Sequence, residues 1–124
     1  MMDAYQRHRG ELAAILDPRK HTIGWLDVQV TNGAIRVLAT DKSIILFEFK
    51  TYPTGFRELH GMAAAGDMGD ITDILIPQAE QLAVSMKCGA ASIASVTAWA
   101  RILKDRGYMV NQVIIEKDLQ DGVI

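Results

Sequence analysis

Residues 44–66 read IILFEFKTYPTGFRELHGMAAAG, and the fold is decided here. Ile44 to Lys50 is largely apolar and rich in β-branched and aromatic residues, as a central strand requires. Tyr52-Pro53-Thr54-Gly55 carries turn chemistry, since proline presets φ and glycine accepts a positive one. Phe56 to Ala63 reads as the returning strand, and Ala63-Ala64-Ala65-Gly66 closes it with small residues. The stretch is an antiparallel hairpin.

Working toward the N-terminus, Ala34 to Ala39 and Ile23 to Val30 extend the hairpin into a four-stranded meander. Leu26, Val28 and Val30 alternate with polar residues. Asn32-Gly33 between the two is a tight-hairpin signal, because both residues tolerate positive φ. Asp3 to Leu16 reads as an amphipathic helix capped by Asp3, with Tyr5, His8, Leu12, Ile15 and Leu16 on one face. Asp17-Pro18 ends it.

Toward the C-terminus the period changes. Asp67 to Lys87 has Ile71, Ile74, Leu75, Leu82 and Met86 at helical spacing; Pro77 should kink it or mark its main first turn, and Gly89 should end it. Ala90 to Ser95 is a short strand of small residues. Thr97 to Arg106 is a second helix stopped by Gly107, and Tyr108 to Lys117 a last strand. The tail after Asp118 is expected to fray. Helices between strands need crossovers, so pairing turns parallel in this half. The expected fold class is α/β (α+β): one domain over residues 1–124, with an N-terminal helix, an antiparallel meander, then helix-strand-helix-strand.

The 124 residues carry 13 basic and 15 acidic side chains, a net charge of -2, with 49% apolar and 23% charged residues. That suits one folded core and argues against disorder. It argues against a broad basic face, and so against nucleic-acid binding. Cys88 is the only cysteine and the three histidines are scattered, so neither an internal disulfide nor a zinc site of usual spacing is expected. No apolar run approaches the ~20 residues that span a bilayer. Met1 to Glu11 lacks a signal-peptide hydrophobic stretch, which points to the cytosol.

Meander, then helix, strand, helix and strand, resembles the layout of the GNAT superfamily, the acyl-CoA-dependent N-acetyltransferases. Trp99-Ala100-Arg101-Ile102-Leu103-Lys104-Asp105-Arg106-Gly107-Tyr108 is similar to the superfamily helix that runs into Gly-Phe or Gly-Tyr. The likeness extends to small GNAT-like proteins of tailed bacteriophages. It is carried by Tyr52-Pro53, the small run 63–66, the acidic helix start Asp67 to Asp73, Pro77, and Ala98-Trp99-Ala100-Arg101 in the place of Gly-Trp-Ala-Arg. The resemblance covers roughly residues 44 to 118. It implies a phage-encoded protein in the host cytosol, open to incorporation into a virion, with a phage structural or host protein as partner and oligomerisation possible.

The resemblance also implies acetyl-CoA as cofactor, its pyrophosphate held on backbone N–H groups at a helix start. The corresponding segment is Gly66-Asp67-Met68-Gly69-Asp70. The family's basic or amide residue is missing, and Asp67 and Asp70 stand where phosphates would lie. No Lys or Arg occurs from Leu59 to Met86. The aspartates are explained without a ligand as helix caps that complement the dipole. The family's proton-donating tyrosine, four residues before the helix-ending glycine, is here Leu103. Its upstream asparagine is replaced by Val96 or Thr97, and Tyr108 fits the packing aromatic. The expected function is therefore a non-catalytic virion or assembly protein with a degraded CoA loop. An acyl-CoA-dependent N-acetyltransferase for a small amine or a protein amine is the alternative.

For that alternative, Glu58 and His60 are the candidate general bases, two apart on one strand face. Ala64, Ala65, Gly66 and Gly69 are the candidate cofactor-binding positions, where pantetheine could pair with backbone. Arg7, His8 and Arg9, with Arg19, Lys20 and His21, form either a solvated basic face or a contact for an acidic partner. Cys88 is not expected as a nucleophile, because it falls at a helix C-terminus, where the dipole disfavours a thiolate. Trp25 and Trp99 are expected as core anchors.

Overall fold

A computed structural model describes residues 2–94 and 97–120. The chain divides into two compact units, Met1–Ala94 and Ser95–Ile124. The first holds helices α1 (Met2–Ile15) and α2 (Ile23–Thr31), then strands β1 (Arg36–Ala39), β2 (Ser43–Thr51) and β3 (Arg57–Gly66). A broken helix follows as α3 (Met68–Asp70), a π turn (Ile71–Leu75) and α4 (Ile76–Ser85), and β4 (Ala90–Ile93) closes the unit. The sheet runs β1-β2-β3-β4, with β1–β2 and β2–β3 antiparallel and β3–β4 parallel. This is the mixed α+β sheet expected, with one strand fewer in the meander.

The missing strand is α2. Alternation at 26, 28 and 30 suggested β-structure, but Ile23, Leu26 and Val30 also repeat at helical spacing, and it is these that pack on the core while Val28 is exposed. Thr22 decides the matter: its hydroxyl accepts from Trp25 N–H at 3.1 Å and caps the helix. Asn32-Gly33 therefore ends a helix rather than closing a tight hairpin. Asn32 is the C-cap and Gly33, at φ +80°, supplies the left-handed residue after it.

α1 begins at Met2, so Asp3 lies in its first turn instead of capping it. Tyr5, His8 and Leu12 are buried and Ile15 is exposed. Tyr5 and Arg9 both bond the Asp27 carboxylate, Tyr5 Oη at 2.7 Å and Arg9 through two nitrogens at 2.7 and 2.9 Å, which clamps α1 to α2. The guanidinium and phenol together hold that carboxyl down at about 2. The basic cluster of the sequence is thereby dispersed: His8 is buried and Arg9 is spent on Asp27.

One face of the sheet joins these helices through Val37, Ile44, Leu46 and Ala65, packed with Tyr5, Leu12, Leu26 and Ile35. Strand alternation sends Ile45 and Phe47 to the other face, covered by the π turn and α4 through Leu75, Ile76, Ala79 and Ala83. Pro77 sits at the start of α4 as expected, and the π turn before it absorbs the hydrogen bond that proline cannot donate. Lys87, at φ +60°, takes the left-handed position expected of Gly89. A Cβ at Gly89 would lie 2.4 Å from the half-exposed Phe56 ring, which would have to shift to admit it.

The second unit holds α5 (Thr97–Leu103) and a 3-10 turn (Lys104–Arg106) ended by Gly107 at φ +88°. The strand expected over Tyr108 to Lys117 does not form; those residues have no regular secondary structure. Val96 and residues 121–124 of the expected tail lie outside the described residues. No helix among the described residues is long and apolar enough to cross a membrane.

Candidate functional site

A bulge separates Leu46↔Ala63 from Phe47↔Gly61, and past it the face shared with α1 turns polar. Register then lines Glu48, His60 and Ser92 across three strands, with Lys50, Glu58 and Ala90 in the next row. Both candidate bases fall in this patch. Ser92 Oγ donates to Glu58 Oε2 at 2.8 Å and meets His60 Nδ1 at 2.8 Å. Tyr52 Oη donates to the same Glu58 oxygen at 3.1 Å.

The bonding pattern fixes the imidazole. Ser92 has one proton and gives it to the carboxylate, so its oxygen must accept from His60 Nδ1–H. That tautomer leaves Nε2 with its lone pair. Burial pushes the His60 pKa below its ordinary value, with the Lys50 charge adding to the effect, and Glu48 and Glu58 oppose both. The neutral ring is thus a base at neutral pH, held in place by a serine that is itself held by a carboxylate.

The lowered pKa has a consequence for stability. As pH falls, the unfolded chain takes up the proton before the folded one. The contribution of the neutral ring is complete above about pH 6.5 and is lost between that value and the lowered folded one. His60→Gln is expected to flatten the fall in unfolding free energy as the pH drops below about 6.5, measured by urea titration against the parent chain.

The candidate cofactor positions lie farther along β3. β3–β4 pairing ends at Gly61↔Ile93, whereas β3 runs on to Gly66. Ala64 and Ala65 pair with β2 on one side and have no β4 residue opposite on the other. Gly66 turns at φ +104°, its ideal Cβ position only 2.2 Å from the Lys42 carbonyl oxygen. Gly69 lies in the first helical turn, away from the Glu58–Ser92–His60 rows.

At that turn the Asp67, Asp70 and Ile71 amides are engaged within the protein. Asp67 is the N-cap, its Oδ2 accepting from Asp70 N–H at 2.8 Å and its carbonyl from Ile71 N–H at 3.0 Å. Asp67 N–H itself donates to the Lys42 carbonyl at 3.1 Å. The Asp70 carboxylate accepts from the hydroxyls of Thr40 and Ser43, and these bonds hold its pKa below the usual carboxylate range. The loop is stitched to the β1–β2 turn by its own acids.

Leu103 is buried. Trp25 is no core anchor: it stacks on His21 at 4.4 Å beside an open concavity of about 480 Å³ lined also by Arg19 and Lys20. Among the described residues no three metal-ligating side chains converge. Sequence reasoning missed Ser92 and Tyr52. Tyr52 lay in a recognised turn, but Ser92 joins the network only through the parallel register, which no local pattern encodes.

No protein-family model and no curated protein sequence matches this chain. Solved structures do, and the fold they share with it is that of the GNAT N-acetyltransferases. An acetyltransferase of Trypanosoma brucei superposes with a TM-score of 0.69 at 12% identity, covering 96% of this chain and 95% of its own. Glucosamine-6-phosphate N-acetyltransferase from Arabidopsis thaliana gives 0.67 at 10% identity, covering 96% and 94%. A transcriptional regulator from Bacillus halodurans gives 0.70 at 10% identity, covering 96% and 95%. At such identities the likeness is one of fold.

Proposed function

We propose that this chain is a GNAT-fold protein that has given up acyl-CoA and acts by binding another protein, as a phage-encoded virion or assembly component. One observation carries this reading. The helix start where an acyl-CoA enzyme would receive a pyrophosphate carries the Asp67 and Asp70 carboxylates, which take the Asp70 N–H and the hydroxyls of Thr40 and Ser43. A phosphate brought to within about 4 Å of either carboxylate meets repulsion of ~1 kcal/mol per pair even in water. Leu103, which cannot donate a proton, supports the same reading. The phage assignment rests on the residue series Tyr52-Pro53, 63–77 and 98–108. Acetyl-CoA titrated by calorimetry should give no saturable heat up to about 1 mM, a binding free energy no better than ~4 kcal/mol. Micromolar binding overturns the proposal.

A second reading, an acyl-CoA-dependent N-acetyltransferase, is favoured by the His60 tautomer and by the unpaired side of β3 beyond Gly61. His60 Nε2 would take the amine proton, while Ser92 and Glu58 keep the ring oriented. Free thiol released from acetyl-CoA in the presence of an amine, and lost in His60→Gln, would establish it.

A further inference from the structure

Arg36 and Arg57 converge on one aromatic ring. Arg36 lies across from Phe47 and Arg57 across from Thr51, so both share the face of β2 that carries Phe47 and Phe49. Their guanidinium carbons stand 5.8 Å and 5.6 Å from the centre of the Phe49 ring, each within cation–π range. Arg36 Nε donates to the Gly33 carbonyl at 3.0 Å, and Arg57 Nη1 to the Met86 carbonyl at 2.8 Å. These bonds orient the two groups and leave each with further N–H donors to give. Among the described residues neither arginine is paired with a carboxylate. Glu48 and Glu58, the acids of β2 and β3, alternate to the opposite face.

The strands leave room beside this ring. β1 begins at Arg36, opposite Phe47, while β2 runs on to Thr51. Thr40 N–H donates to the Ser43 carbonyl, and Tyr52 N–H to the Phe56 carbonyl, both at 2.9 Å. Odd-numbered residues of β2 thus turn their backbone groups toward β1, and even-numbered ones toward β3. Phe49 and Thr51 turn theirs to the side that β1 does not reach. Phe49 is half-buried, and Arg36 and Thr51 are exposed. An extended segment laid along this stretch meets main-chain donors and acceptors, an aromatic surface and two positive charges. In a chain of net charge -2, two guanidiniums gathered without a counter-charge are complementary to an acidic partner.

We propose, resting on the protein-binding function above, that an acidic, extended segment of a partner protein docks on the Arg36–Phe49–Arg57 face. Its carboxylates are received by the two guanidiniums, whose planar forks suit a carboxylate better than an ammonium would. Its backbone lies beside Phe49 and Thr51. The surface is built within the first compact unit alone and stands on the sheet face away from Glu58 and His60.

Fluorescence anisotropy with the full chain and a labelled Glu-Val-Glu-Val-Glu-Val peptide at low salt tests the docking. Saturable binding is expected at about 100 µM or below. Arg36→Gln should weaken it about threefold, and Arg36→Gln combined with Arg57→Gln about tenfold or more. Arg57 also holds the end of α4, so the exposed Arg36 variant, with its far-UV spectrum unchanged, decides the matter if the double variant unfolds. Arg7→Gln removes the same charge from an exposed position of α1 and should leave the affinity as it is. Absence of peptide binding overturns the proposal. So does binding that Arg36→Gln does not weaken, or that Arg7→Gln weakens equally. A thymidine oligonucleotide that binds more tightly than the peptide overturns it in favour of nucleic acid. Acetyl-CoA binding in the calorimeter would overturn the protein-binding function itself, and that readout is independent of the peptide.

Discussion

Gly66→Ala is expected to cost about 3 kcal/mol or more of folding free energy, read as a fall in the urea midpoint. Two costs combine at this position. Its φ of +104° lies where a side chain is strained, and the new Cβ would stand 2.2 Å from the Lys42 carbonyl oxygen and 2.7 Å from the Ser43 Cα. Backbone cannot move aside as a side chain would. Lys42 O also accepts from Asp67 N–H, and Ser43 is paired with Gly66 in the sheet, so any retreat breaks the ladder or the helix cap. Gly10→Ala makes the control. No atom lies within 4 Å of a Cβ there, and alanine is the better helix former by about 1 kcal/mol, so stability should rise.

Phe47→Ala should cost 3–5 kcal/mol, roughly the typical loss for a large ring in a closed core. Phe47 is 1% exposed and meets Phe49 edge-on at 5.9 Å between centroids. It lies beside the bulge that sets the register of the polar rows, on the face away from them. Phe47→Leu keeps most of the volume and should lose about half as much. Denaturant unfolding of the three chains orders them. The polar rows should survive in the leucine chain, because they are built on the opposite face.

The hairpin over 43–66 was legible because its information is local: a β-rich run, a turn with proline and glycine in place, a second run. The same holds for the helix beginning at Thr97 and stopped at Gly107. At 23–31 two periods coexisted in one apolar stretch, and a single hydroxyl at Thr22 selected the helix. At 108–117 the composition favours a strand, but a strand forms only where an edge receives it. The candidate site was half readable. Glu58 and His60 follow from a spacing of two on one strand. Ser92 follows only from how β4 is laid against β3. The capping roles of Asp67 and Asp70 were visible as acids at a helix start, but their ties to Thr40 and Ser43 depend on where the β1–β2 turn falls.

The order of the strands has a consequence in time. β1, β2 and β3 are joined by short turns, so their pairing closes small loops at little entropic cost. β4 must wait for a crossover through the broken helix, and His60 and Ser92 stand 32 positions apart in the chain. Contacts of that separation are closed late and slowly. The meander can exist without the network, and the network cannot exist without the last strand. Glu58 and His60 are thus brought together early, and the serine that fixes their protons arrives when folding is nearly complete.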